Sequence, residues 1–320
     1  MKVDNSDIEN LDGEHPSVVL ADICRRPEIH ARIIVFANEK GGVGKSTLAF
    51  HTCIALARTG HKVLAIDLDR RQRSLQRALE NREATTRSLG VDLPTPQHLV
   101  LEHQSGAMLG QEIARVGANC DTIIIDVPGH DSPIARRAIA MADKLITPVN
   151  PTFVDLDSIA RFTAGTLQLT KLGPFAQTVT QLRQARIDRG LKPADWLLVK
   201  NRVRRAEKRQ LARFNRAIGQ LPRALDLHIT NGLTERVAYR DLFLFGLTHA
   251  DCAGLPGLAN IKVHADQEMD ELLEELGIVS RDQKAKITLR QAHTPARSME
   301  RHRQALRRQI GATKRISTNV

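Results

Sequence analysis

Apolar residues along this chain gather in short, nearly unbroken runs, and longer stretches with helical spacing lie between them. The runs are RIIVFA at 32–37, KVLAID at 62–67, TIIID at 122–126, KLITPV at 144–149, DWLLV at 195–199 and LDLHI at 225–229. Unbroken rather than alternating apolar character predicts strands buried on both faces, as in a parallel sheet. The intervening stretches 46–59, 132–142, 155–172, 204–218 and 265–276 read as helices. Strand–helix alternation with crossover-length spacers predicts an α/β fold, a doubly wound, mostly parallel sheet with helices on both faces. The polar segment 82–95 breaks the alternation and reads as an inserted loop, while the mixed stretch 172–193 yields no assignment.

Composition narrows the classes. Of 320 residues, 42% are hydrophobic, enough for a sizeable core, and only 3% are aromatic, which argues against stacking platforms for single-stranded nucleic acid. No apolar run approaches the ~20 residues of a membrane span, and the polar, acidic start MKVDNSDIENLDGEHP lacks a signal pattern, so a cytoplasmic location is expected. Cys24, Cys53, Cys120 and Cys252 lie far apart without a CxxC pair, against a zinc site or a disulfide scaffold.

The net charge of +11 is uneven: −4 over residues 1–30, +6 over 31–280 and +9 over 281–320. This divides the chain into an acidic, disordered arm at 1–30, a core domain at 31–280 and a basic tail at 281–320. A helix at 296–310 holds only Met299, Leu306 and Ile310 as large apolar residues, too thin a face for a membrane anchor. A second DNA-contacting arm is the preferred reading of the tail, with a merely solvating one close behind.

The specific chemistry begins where the first strand runs into Asn38-Glu39-Lys40-Gly41-Gly42-Val43-Gly44-Lys45-Ser46-Thr47 and a helix follows. Glycines 41, 42 and 44 let the backbone curl with its N–H groups aimed at phosphate oxygens. Lys45 then reaches the β- and γ-phosphates of ATP, and the Ser46 hydroxyl is placed to ligate Mg²⁺. Glu39 stands where the general phosphate-loop pattern has its first glycine.

Two carboxylate motifs accompany the loop. The second strand ends in Asp67-Leu68-Asp69-Arg70-Arg71-Gln72-Arg73-Ser74, at the strand edge where doubly wound sheets bind ligands. Either aspartate could instead cap the next helix. The third strand runs into Asp126-Val127-Pro128-Gly129, an apolar strand ending in an acid followed by a turn.

With Lys40 opening the loop, KGGVGKST resembles the deviant phosphate loop of the ParA/MinD ATPases. NEKGGVGKST, AIDLDRRQRS, IDVPGHDS, TPVNPTFVDLDS, KNR and VAYRDLFLFGLTHAD bring residues 31–278 nearest to the MipZ group. The resemblance implies that Lys40 reaches across an ATP-sandwich homodimer to the partner's nucleotide. It implies that Asp69 orients the attacking water, that Asp67 and Asp126 stand at the Mg²⁺, that Pro128 and Gly129 approach the γ-phosphate, and that Asn201 lies at the adenine edge. Asn201 reads equally as a loop-capping residue. The implied partners are non-specific double-stranded DNA, a ParB-like protein and the tubulin-like FtsZ, with no membrane and a nucleoid-associated location.

The residues themselves point to one DNA element. At about 100° per residue, Leu211, Phe214, Ile218 and Leu221 share one face, and Arg205, Arg209, Arg213 and Arg216 form a stripe on the other. Arginines without acidic neighbours on their own face suit phosphate contacts, and a solvated basic face is the plainer alternative. Three other functions compete. A ParA-type partition ATPase would not act on FtsZ. An iron–sulfur carrier with a phosphate loop would need cysteines near Asp126, and VPGHDSPI has none. Lys40 and the DLD motif weigh against a kinase.

Overall fold

The computed structural model describes residues 15–25, 29–101, 105–204, 206–235, 237–252, 255, 265–278, 288–289 and 304. Its centre is a seven-stranded sheet of β1 (Arg32–Phe36), β2 (Val63–Asp67), β3 (Gln97–Val100), β4 (Thr122–Asp126), β5 (Lys144–Val149), β6 (Asp195–Lys200) and β7 (His228–Thr230). The spatial order is β7-β6-β5-β1-β4-β2-β3, and every neighbouring pair is parallel. The chain leaves β1 toward β2 on one side and later returns to β5 on the other. The loop after β1 therefore opens at the switch point of the sheet, where such folds bind ligands.

Unbroken apolar strands follow from burial on both sides. Ile33, Val35, Leu64, Ile66, Ile123 and Ile125 face one core, and Ile34, Phe36, Val63, Ala65 and Ile124 face the other. The first core is covered by α1 (Pro16–Cys24), α4 (Gly106–Val116), α5 (Pro133–Met141), α6 (Pro174–Ile187) and α7 (Lys208–Ile218). The second is covered by α2 (Lys45–Arg58), α3 (Ser74–Leu89), α8 (Val237–Leu244) and α9 (Ala265–Glu275). Trp196 is fully buried, and its indole nitrogen donates to the Thr147 hydroxyl at 3.0 Å, so the ring enters the core without an orphaned donor.

Several expectations need correction. Residues 155–172 do not form one helix: a single turn (Phe153–Leu156) leads into an antiparallel hairpin of Ala160–Phe162 with Leu169–Leu172. Thr163, Gly165, Thr166 and Thr170 lower helix propensity there. The supposed loop at 82–95 begins inside α3, where Leu75, Ala78, Leu79 and Arg82 occupy one buried face. Arg82 takes an apolar slot because its guanidinium meets the Asp251 carboxylate at 2.8 and 3.0 Å and donates to Gly246 O at 2.9 Å. Residues 172–193, whose mixed pattern gives no assignment, contain α6, and the strand Gln97–Val100 is additional to the expected runs. Of the run 225–229, Leu225 closes a short helix (Leu221–Leu225) and strand begins only at His228. Within the stretch 1–30, expected to be an arm, α1 packs Val19 and Leu20 into the core, and Asp22 pairs with Arg137 of α5. Apart from residues 288–289 and 304, the basic tail, with its expected helix at 296–310, lies outside the described residues.

Candidate functional site: a phosphate cradle at the sheet edge

Strand register assembles the site. Phe36 of β1 is paired with Asp126 of β4, and Asp126 with Asp67 of β2, so three strand ends lie level and their following loops converge. The loop after β1 turns twice through the left-handed region, at Gly42 (φ 75°) and Gly44 (φ 97°), which glycine adopts without steric cost. Gly44 is also the N-cap of α2, and no side chain caps that helix. By contrast, Ser105 and Ser132 cap α4 and α5 through their hydroxyls. The amides at the start of α2 are thus left to the loop's interior, together with the positive end of the helix dipole.

Lys45 points into this cradle. It is buried, and its ammonium donates to Lys40 O at 3.1 Å. Burial lowers its pKa, opposed by the carboxylates of Asp126 and Asp69. Lys40 is only half-buried; its amide donates to Asn38 Oδ1 at 3.0 Å. Gly129 closes the other wall, where an added Cβ would stand 3.4 Å from Lys45 Nζ and 3.5 Å from the Gly41 backbone.

Asp126 is the most perturbed acid of the site. Burial first, then the adjacent Asp67, pushes its pKa up to about 8, against the lowering effect of the Ser46 hydrogen bond and of Lys45. Its Oδ1 is buried and has no hydrogen-bond partner among the described residues. A buried carboxylate oxygen without a donor, beside a hydroxyl, fits a hard cation. Ser46 and Asp126 are therefore the residues that would hold Mg²⁺, the rest of its shell coming from phosphate and water. Among the described residues no cluster of three or more His, Cys, Asp or Glu is arranged for a metal.

Asp67 and Asp69 divide. Asp67 is buried and accepts from three backbone amides: Asp69 N at 2.9 Å, Leu75 N at 3.0 Å and Gln76 N at 3.1 Å. It caps α3, whose N-cap residue Arg73 (φ 49°) supplies no side-chain bond of its own. That is the capping alternative, and it leaves Asp67 as a support behind the expected metal position. Asp69 is half-exposed and accepts from Arg71 N and Gln72 N with one oxygen, Oδ1, at the rim of the cradle.

Asn201 is placed against the loop. Its amide donates to Val43 O at 2.7 Å and lies where a Cβ on Gly44 would stand. The structure thus shows a loop-holding role. One further holder escaped the sequence reading: Asn38 donates to Pro148 O at 2.8 Å and accepts from Lys40 N and the Ser158 hydroxyl, tying β1 to β5 and the loop to residue 158. Its only sequence signal was a polar residue ending an apolar strand. On α7, Arg209, Arg213 and Arg216 are exposed while Phe214 and Ile218 are buried, so the two-faced pattern stands; Arg205 lies outside the described residues.

A family profile described as ATPase MipZ matches residues 32–280. This chain belongs to the MipZ ATPase family. Among curated relatives, it is 31% identical over 159 residues to the chromosome-partitioning ATPase Soj of Thermus thermophilus, covering 44% of this chain and 64% of that one. It is 27% identical over 172 residues to the chromosome partitioning protein ParA of Myxococcus xanthus, covering 44% and 60%. It thus spans less than two thirds of these relatives' length. Two solved structures share the fold: apo McdA of Cyanothece, with TM-score 0.51, 19% identity and coverage of 77% and 99%, and MinD in the Aquifex aeolicus MinC:MinD complex, with TM-score 0.50, 20% identity and coverage of 79% and 98%. All seven parallel strands and the phosphate cradle at their edge lie within the matched residues 32–280. No described helix is long and apolar enough to cross a membrane.

Proposed function

We propose that this MipZ-family chain is an ATP-dependent switch that forms an ATP-sandwich homodimer, binds double-stranded DNA without sequence preference and regulates division-site placement by inhibiting FtsZ assembly. A ParB-like protein recruits it, and it works in the cytoplasm, associated with the nucleoid. One observation carries the switch reading: the loop holds two lysines in different positions. Lys45 is buried in its own cradle, whereas Lys40 is half-buried and, among the described residues, bonds to Lys45 and Asn38 through its backbone alone. An ordinary phosphate loop needs only the first; the second is free to serve a partner protomer.

Hydrolysis is assigned to residues of this chain. Gly41, Gly42, Val43, Gly44, Ser46 and Thr47 line the phosphates with backbone and hydroxyl donors, and Lys45 neutralises the β- and γ-oxygens. Pro128 and Gly129 bring a backbone wall against the γ-phosphate. Asp69, at the rim, orients the attacking water. Bound Mg²⁺ supplies charge neutralisation and Lewis-acid polarisation to the phosphates. Asn201 would meet the adenine with the part of its side chain that does not hold Val43.

The exposed arginines of α7 supply the DNA surface, doubled by dimerisation. Light scattering of FtsZ assembly with this protein and ATP, against ADP, is the deciding experiment. Suppression by the ATP form alone is expected. Unaltered assembly in both nucleotides would leave the second reading, a ParA-type partition ATPase, which the likeness to Soj and ParA favours.

A further inference from the structure

Away from the phosphate cradle, a groove of about 390 Å³ opens between the 160–172 hairpin and α7. Phe153, Phe162 and Leu167 are its apolar lining, and Arg161, Arg213 and Asp157 add its charges. Phe153 bridges the groove to the core, 6.3 Å from Phe162 and 6.4 Å from the buried Phe214, both in edge-on contact. Leu167 is held at φ 58° with only 6% of its surface exposed. A branched residue in the left-handed region is strained and persists only where its surroundings over-determine it. Here the strain turns an apolar side chain back into the groove. Val154, beside Phe153, leaves 67% of its surface in solvent.

The charges are unbalanced. Two arginines face one aspartate, and among the described residues neither arginine makes an ion pair; Arg213 reaches only Ala164 O at 3.4 Å. A volume of this size suits a large side chain with its flanking backbone. A nucleic-acid duplex is too wide to enter it, and its phosphates would gain nothing from two phenylalanines.

We infer that this groove between the hairpin and α7 is a docking site for an acidic peptide segment of a partner protein, with one large apolar side chain inserted against Phe153 and Phe162 and flanking carboxylates paired with Arg161 and Arg213. The apolar side chain supplies the buried anchor of the interface, and the arginines select charge at its rim. Arg213 also belongs to the proposed DNA stripe, so peptide and DNA compete for it. Nothing else in the inference rests on the DNA reading.

The test is fluorescence anisotropy on the full chain with three labelled hexapeptides. One is Asp-Glu-Leu-Phe-Asp-Glu, the second carries Lys at its acidic positions, and the third carries Ala at its apolar positions. Only the first should bind saturably, and Phe162→Ala and Arg161→Glu should each weaken it by about tenfold or more while ATP turnover is unchanged. Arg161 is exposed, so its variant keeps the test open if Phe162→Ala does not fold. Equal binding of the first and third peptides would overturn the proposal, because it signals only attraction to a chain of net charge +11. So would absence of binding, or affinities that both variants leave unchanged. A DNA arm separates the two surfaces. If Phe162→Ala weakens duplex binding as much as Arg213→Glu does and the acidic peptide stays unbound, the groove belongs to the nucleic-acid surface and the proposal fails. If the peptide binds as expected while no α7 arginine affects DNA, the groove stands and the DNA reading falls.

Discussion

The amide of Asn201 at the end of β6 donates to Val43 O at 2.7 Å, and Gly44 lies beneath it without a Cβ. The phosphate loop is thereby clamped by a strand two places across the sheet from the one that begins it. Asn201→Ala removes one buried hydrogen bond and should cost about 1 kcal/mol, with nucleotide affinity reduced several-fold. Gly44→Ala should be worse, since its Cβ would strike the Asn201 amide and alanine is strained at φ 97°. Calorimetric titration with an ATP analogue ranks the two; equal effects would mean that the clamp is not what shapes the loop.

The lysines and Asp69 are separable by function. Lys45→Ala should abolish nucleotide binding, because the phosphates lose the cation of their own subunit. Lys40→Ala should retain binding yet lose the dimer on size-exclusion chromatography with a non-hydrolysed analogue. A dimer of unchanged stability would sink the cross-protomer role. Asp69→Ala should bind Mg-ATP and dimerise but turn over slowly, leaving a trapped dimer on DNA. Failure of that variant to dimerise would make Asp69 structural.

One buried group of α2 should contribute less to stability in acid. His51 of α2 lies against Tyr239 and stacks on His249 at 6.0 Å. Burial first, then the neighbouring His249, lowers its pKa from 6.5 to about 3. Below 6.5 the unfolded chain takes up a proton that the folded chain refuses. The contribution of His51 to stability therefore falls as pH drops from 6.5 toward 3, by up to ~1.4 kcal/mol per pH unit. Burial raises the pKa of nearby Asp251, but Arg82 and Thr248 overcome it and hold it below 3.8, so its contribution is lost only in stronger acid. Asp126, its pKa raised to about 8, opposes the His51 effect over the same range, so the check is a difference: the urea midpoint of His51→Met relative to the parent should rise as pH falls from 6.5 to 4.5. Arg82→Ala should cost up to about 3–5 kcal/mol at neutral pH, because it leaves the buried Asp251 charge with only Arg58, at 3.4 Å, as its counter-ion.

Nucleotide dependence of DNA binding should reside in α7 and not in the tail. The +9 tail is present in monomer and dimer alike and adds a constant attraction. Dimerisation places two arginine stripes on one body. With four phosphate contacts per protomer, the log–log salt slope should move from about −3.6 toward roughly −7 on adding ATP analogue. Alanine at Arg205, Arg209, Arg213 and Arg216 should erase most of that increment, and deletion of 281–320 should weaken both states similarly. Anisotropy on a short duplex across a salt series measures it. ATP dependence that vanishes with the tail alone would put the site on the wrong element.

How much was legible in advance divides along a physical line. Five of the six expected strands, the parallel sheet and the cradle of Gly41 to Thr47 follow from local features: unbroken apolar runs, glycines where φ turns positive, and a helix that starts at once. These signals are short-range, and the chain carries them wherever it is placed. The tertiary structure decided what depends on partners distant in sequence. Arg82 reads as a loop residue until Asp251, 169 positions later, balances its charge inside the core. The hairpin at 160–172 is held from beyond the end of α7, where Gln220 accepts from the Leu169 amide and donates to the Leu167 carbonyl. Asp67 also takes the first amides of α3, and Asn201 also holds Val43 O, contacts that no local pattern announces. In each case a polar group's role was fixed by the desolvated partner that folding brings to it, a term absent from any local pattern.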